Sequence, residues 1–193
     1  MARVVQMSTL PAVMPSLPGY DLYGTSQPAS LTGGDTFDLA VLDQDLLIVL
    51  GDATGHGIGP ALSVTQMHAM LRMAFRLGAD LETAFLQVNN QLAATLADDR
   101  FITAFIGLLD PATHRLRFLS GGQAPILHGR AAQDDVLVHT ATSFPMGAMQ
   151  IERLRPPVEL VLAPGDSLVL LSDGVYEAED ADRSVVAPAL PAP

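Results

Sequence analysis

Two stretches of the chain run from apolar, strand-like sequence directly into an aspartate and a glycine turn. Leu46-Leu47-Ile48-Val49-Leu50 leads into Gly51-Asp52-Ala53-Thr54-Gly55-His56-Gly57, and a strand-like run from Ser167 to Ser172 leads into Asp173-Gly174. An acid at the mouth of a buried strand, followed by backbone free to bend sharply, demands a sheet whose strand ends meet at one edge. It also equips that edge to hold a divalent cation. A third acid has the same setting, because Gly33-Gly34-Asp35 opens the run Phe37-Asp38-Leu39-Ala40-Val41. Carboxylates, carbonyls and water suit hard cations such as Mg²⁺ or Mn²⁺, whereas zinc sites draw on Cys and His. With no Cys and five His, the chain is poorly supplied for a structural zinc.

The 193 residues are 49% hydrophobic and 16% charged, which suits one substantial core and predicts a single domain. We place that domain at 21–186. Pro11, Pro15 and Pro18 rule out a long helix in residues 1–20, read as a connecting arm, and the Ala/Pro-rich stretch 187–193 reads as a disordered tail. The absence of Cys fits a reducing compartment, and the expectation is a cytoplasmic protein. No apolar run reaches the roughly 18–20 residues of a membrane span. A net charge of −11 excludes a nucleic-acid backbone as partner and leaves a protein partner, one with a basic patch being easiest to accommodate.

Asp43-Gln44-Asp45 separates the first two predicted strands, the second of which reads as buried on both faces. Pro60 suits the first turn of a helix with an apolar stripe of Leu62, Met67, Leu71, Ala74, Phe75 and Leu77, ended by Gly78. Met67, Met70 and Met73 read as core filler. Asp80 is the predicted N-cap of a second helix, with Leu81, Phe85, Val88, Leu92 and Leu96 on its apolar face. Strands follow over 101–109, 116–120, 124–128, 136–139, 158–162 and 167–172, with an Asp110-Pro111 turn between the first two. Strands, a helical pair and then hairpins define an α+β layered domain.

Several segments, in order, carry a family resemblance: Ala2-Arg3-Val4-Val5-Gln6, Leu10-Pro11, Gly33-Gly34-Asp35 with Phe37-Asp38, and Gly51 to Gly57. They continue through Ser120-Gly121-Gly122-Gln123-Ala124-Pro125, Pro145-Met146-Gly147 and Leu170-Leu171-Ser172-Asp173-Gly174-Val175-Tyr176-Glu177. Together they resemble the bacterial metal-dependent protein serine/threonine phosphatases of the sporulation-protein-E type, relatives of the protein phosphatase 2C-like enzymes. The resemblance implies a four-layer αββα sandwich with two Mn²⁺ or Mg²⁺ ions at one end, here without the family's last helix and strand. It assigns Asp52 as the bridging ligand, Asp35 and the Ala53 carbonyl to one metal, and Asp173 to the other. It further implies a phosphorylated protein substrate, such as an anti-sigma-factor antagonist, and upstream regulatory or sensory domains. A homodimer is left open.

Two departures accompany the match. Gln123 stands where the family usually has His, and Gln cannot exchange a proton near neutral pH. The family's final metal-binding aspartate has no counterpart, since Asp180 and Asp182 follow too closely. These favour a rival reading, an adaptor on a phosphatase scaffold. His56 is read equally as a general acid or as a residue that shapes its loop. Gly51 to Gly57 lacks the Lys and Ser/Thr of a nucleotide-binding P-loop, and Asp35 is not followed by the Glu-Phe of a cyclic-dinucleotide synthase.

Overall fold

The computed structural model describes residues 10–26, 33–97 and 99–176. The first nine residues of the expected arm, the expected tail and Glu177 lie outside the described residues. The elements in chain order are β1 (Asp35–Leu42), β2 (Asp45–Ala53), α1 (Ile58–Arg76), α2 (Leu81–Thr95), β3 (Ile102–Asp110) and β4 (Arg115–Gly121). They continue with β5 (Ile126–Arg130), β6 (Asp135–His139), β7 (Val158–Val161), β8 (Ser167–Leu170) and a single turn, α3 (Asp173–Tyr176).

Two antiparallel sheets result, one of order β1-β2-β3-β4-β7 and one of order β6-β5-β8. Strand alternation divides the core in two. On one face of β2, Leu47 and Val49 join Val64, Met67 and Leu71 of α1 and Phe85, Val88 and Leu92 of α2. On the other, Leu46 packs with Phe105, Phe118 and Ile126, and with Ile48, Leu50, Leu168 and Leu170 around them, between the two sheets. Helices, large sheet and small sheet are three layers of the expected αββα sandwich. Among the described residues no helix covers the outer face of the small sheet.

The two-residue turn Asp43-Gln44 lets Leu42 pair with Asp45, with Asp43 in the left-handed region at φ 51°. Asp80 caps α2 as expected, its Oδ1 accepting from Thr83 N at 2.7 Å. The stripe predicted for α1 is corrected at its edges. Leu62 and Leu77 are 62% and 79% exposed, and Met73, expected in the core, is 57% exposed. Leu62 and Met73 lie about three helical turns apart and share the solvent side, because α1 meets the sheet through one face only.

Between the large sheet and α1 sits one buried ion cluster. Asp38, 1% exposed, accepts from Arg72 Nε at 2.5 Å and Nη2 at 2.9 Å, and meets His68 Nε2 at 2.8 Å. Burial alone would raise the Asp38 pKa, but His68 and Arg72 overcome it and hold the carboxyl below its ordinary value. Removing one partner of such a cluster strands the others, so Asp38→Ala is expected to lose about 3–5 kcal/mol of unfolding free energy in urea titrations. Because the folded pKa is depressed, the parent protein's advantage over the variant is present near neutrality and is lost as pH falls through that pKa.

Candidate metal centre

The β1–β2 register sets Asp35 directly opposite Asp52, and β3 sets Thr103 beside Asp52. Leu46, Ile48 and Leu50 alternate onto the small-sheet side of β2, and Asp52 continues that row beyond the end of the apolar core. Leu47, Val49 and Ala53 belong to the helix side. Gly51 is in this second row, where an added Cβ would lie 2.5 Å from Met67 Cε. Asp35 and Asp38, three residues apart in one strand, therefore face opposite layers: Asp38 anchors a helix and Asp35 joins the strand-end cluster.

Gly34 is required by close approach. A Cβ there would lie 2.4 Å from the Ala53 carbonyl oxygen and 2.6 Å from Asp52 Oδ1, while Ala53 N donates to Gly34 O at 3.1 Å. The bare backbone of Gly34 leaves room beside two of the oxygens that the sequence nominates as ligands.

Asp173 enters from the small sheet, three residues after the end of β8 and at the start of α3. It is close enough to Asp52 for the two side chains to hydrogen-bond, and to raise the pKa of Asp35 as well. Burial, then the Asp35 and Asp173 charges, push Asp52 up to about 7. Burial likewise raises Asp35, against a lowering hydrogen bond from Ser172. Two carboxylates whose pKa is raised, with the Asp173 carboxylate beside them, are suited to a cation, whose charge reverses the penalty. Among the described residues, no group of three acidic or imidazole side chains is drawn into a closed cage. The arrangement is open, and a hard cation would complete its shell with carbonyl oxygen and water. His56 is exposed on the loop after β2 and makes no side-chain hydrogen bond among the described residues.

Gln123 holds the two sheets together at this edge. It is 3% exposed, its Nε2 donates to the Leu171 carbonyl at 2.7 Å, and its Oε1 accepts from Thr103 Oγ1 at 3.2 Å. Thr103 Oγ1 also lies 3.4 Å from the Asp52 carbonyl. Ser120 Oγ donates to the Gln123 carbonyl at 2.5 Å. A buried amide thus spans from β3, the neighbour of the strand that carries Asp52, to the segment that delivers Asp173, with both ends of its side chain in use. Sequence reading flagged Gln123 only as a departure and missed Thr103, Ser120 and Asn89. Buried Asn89, 0% exposed on α2, donates to Met149 O at 3.0 Å and accepts from Gly147 N at 3.1 Å. A polar residue on the apolar face of a helix was the available signal.

Two outcomes follow for the metal-free protein. Asp52 has a folded pKa near 7, against about 3.9 when unfolded. Stability is therefore unpenalised below the unfolded value and falls as pH rises through about 7. In chelator, Asp52→Asn should melt close to the parent at pH 4 and above it at pH 8. Gln123→Ala should cost about 1–3 kcal/mol in urea titrations, because it leaves the Leu171 carbonyl without its donor.

Comparison with known proteins bears on the family and the fold. Residues 43–189 match the family model described as Stage II sporulation protein E (SpoIIE). Protein IcfG of Synechocystis is 24% identical over 205 residues, covering 91% of this chain and 32% of IcfG. Phosphoserine phosphatase RsbU of Bacillus subtilis is 23% identical over 176 residues, covering 91% of this chain and 52% of RsbU. The chain thus spans about half or less of these relatives. Among solved structures, the RsbU and RsbW domains of Rv1364c from Mycobacterium tuberculosis align with TM-score 0.69 and 26% identity, over 82% of this chain and 43% of that one. The SiaA-PP2C domain of Pseudomonas aeruginosa aligns with TM-score 0.76 and 19% identity, over 97% and 75%. RsbX in complex with magnesium aligns with TM-score 0.64 and 15% identity, over 79% and 72%. Motifs in order, a matching layered fold and a family model covering most of the sequence lead to one conclusion: the chain belongs to the SpoIIE family of protein phosphatase 2C-like domains.

Proposed function

We propose that this domain hydrolyses phosphoserine or phosphothreonine on a bacterial signalling protein, with Mn²⁺ or Mg²⁺ held at the Asp35, Asp52 and Asp173 edge. The observation that carries the reading is the convergence of three carboxylates from two sheets, with Asp52 pushed to about 7 by burial and like charge. Membership of a family that includes a phosphoserine phosphatase, and a structural relative described with magnesium, support it.

In this reading Asp52, Asp35 and the Ala53 carbonyl would hold a first cation, and Asp52 with Asp173 a second. Bound divalent cations would supply an activated water and charge neutralisation at the phosphoryl oxygens. The chain's own part is placement. Gly34 keeps the Ala53 carbonyl clear, and Gln123 and Thr103 fix the span between sheets. His56, exposed beside the edge, is available to a leaving serine oxygen. We further propose an anti-sigma-factor antagonist as the substrate, upstream regulatory domains, and the cytoplasm as the setting. The greater length of the relatives supports the upstream domains. The adaptor reading draws on the open arrangement of the acids and on Gln123, whose amide is fully engaged in structure.

Mn²⁺-dependent hydrolysis of an aryl phosphate tests the proposal. The parent should turn over only with metal. Asp52→Asn should lose more than about 100-fold in kcat/KM, because outer-shell partners of a metal are alone worth about 10–100-fold. Mn²⁺ should raise the melting temperature of the parent and leave that of Asp52→Asn unchanged. No turnover at millimolar Mn²⁺, with no thermal shift, would sink the phosphatase reading in favour of the adaptor.

A further inference from the structure

A groove opens beside the metal edge, in the connection between β6 and β7. Its walls include Phe144, Met149, Ile151, Arg153, Leu154 and Arg155, around a volume of about 460 Å³. Its backbone is tied down. Met146 and Ile102 exchange hydrogen bonds of 2.7 and 2.9 Å, and Ile102 is the β-ladder partner of Ala53. Gly122 N donates to Ser143 O at 3.0 Å, next to Gln123. From the other side Asn90 holds Ile151 in both directions, at 2.8 and 2.9 Å, and Asn89 holds Met149 and Gly147.

On this fixed backbone two large apolar side chains are held out to solvent, Phe144 at 65% and Met149 at 50% exposure. Beside them stand Arg153 and Arg155, both exposed. Among the described residues Arg72, Arg115, Arg117 and Arg130 each lie in an ion pair, whereas Arg76, Arg100, Arg153 and Arg155 lie in none, and of these four Arg153 and Arg155 stand together at the groove. Glu152, also exposed, is the one acid in that run. Unpaired cations framing an exposed aromatic, in a chain of net charge −11, form a local reversal of the protein's sign.

We propose that this groove docks the segment flanking the phosphorylated serine or threonine of the protein substrate, and that it selects an acidic segment bearing an apolar side chain. The inference rests on the phosphatase reading for the nature of the occupant. Phe144 and Met149 take the apolar side chain, and the two guanidinium groups pair with carboxylates that the rest of this acidic surface repels. The contacts to Ile102 and Gly122 set the groove against β3, which pairs with the strand that carries Asp52, and beside Gln123, so a docked segment leads into the metal edge.

The test uses fluorescein-labelled nine-residue peptides with a central non-hydrolysable phosphonate analogue of phosphoserine. Their flanks are acidic with one leucine, neutral, or arginine-rich, and binding to the whole chain is read by fluorescence anisotropy. The acidic peptide should bind tightest, and more weakly as salt rises. The double variant Arg153→Glu/Arg155→Glu should weaken it about tenfold and turn the preference toward the basic peptide, and Phe144→Ser should weaken it about threefold or more. Aryl-phosphate turnover should be the same in all three proteins. Equal binding of the three peptides, or a preference unmoved by charge reversal, would overturn the proposal. A dimer in sedimentation that Phe144→Ser dissolves would also overturn it, giving the groove to a second copy. Flank-selective binding by a chain that does not hydrolyse aryl phosphate would sustain the groove and overturn the phosphatase reading alone.

Discussion

The register of β1 on β2 is the constraint from which the rest of the molecule follows. By pairing Asp35 with Asp52 it places two like charges side by side at the end of a buried strand. The same pairing turns Asp38 to the opposite face, onto His68 and Arg72. A slip of one residue would turn Asp35 to the helix side and drive Asp38 into the apolar core between the sheets. The apolar alternation of Leu46 to Leu50 prevents such a slip, because each of those side chains is committed to one of two cores.

Asp38 and Asp52 show how environment gives one residue type two behaviours. Both are withdrawn from water in the large sheet. Asp38 meets a guanidinium and an imidazole and stays ionised well below neutrality, whereas Asp52 meets two carboxylates and resists ionisation up to about 7. The first is satisfied by the protein alone. The second is incomplete without an external positive charge, and the local structure maintains that incompleteness. Gly34 admits no side chain that would fill the space, and the Gln123–Thr103 link keeps Asp173 from drifting away from Asp52. Strain of this kind persists only where neighbouring contacts over-determine it.

Much of this was legible in the sequence, and what was not has physical causes. The glycine turns and the Asp80 cap are local signals, set by a few neighbouring residues, and they emerge as read, whereas strand bounds shift by about two residues, β5 running from Ile126 to Arg130 and β8 ending at Leu170. The stripe on α1 was drawn too wide because apolar residues at Leu62, Met73 and Leu77 fit a helical period without saying which side the sheet occupies. Gln123 illustrates the harder case. Its residue type excludes proton transfer, but only tertiary structure brings Leu171, 48 residues onward, to its amide. Thr103 was silent for the same reason, and Asn89 showed only its polarity on an apolar helix face, since the partners of both are distant in sequence and close in space. The acids carried their own signal because each adjoins a glycine.

The distribution of positive charge completes the physical picture. Lys and Arg number 10 against 21 Asp and Glu, and all ten are arginine. At physiological salt, exposed charges act over roughly 8 Å, so a net charge of −11 does not forbid an anionic ligand provided the nearest charges are positive. Four described arginines are neutralised by acids: Arg115 and Arg130 within their own sheets, Arg72 and Arg117 across the boundary between the helices and the large sheet. Arg76, Arg100, Arg153 and Arg155 lie in no ion pair among the described residues, and Arg153 and Arg155 stand together beside the groove. The net charge therefore describes the chain as a whole and not that surface, where two guanidinium groups face a single carboxylate, Glu152.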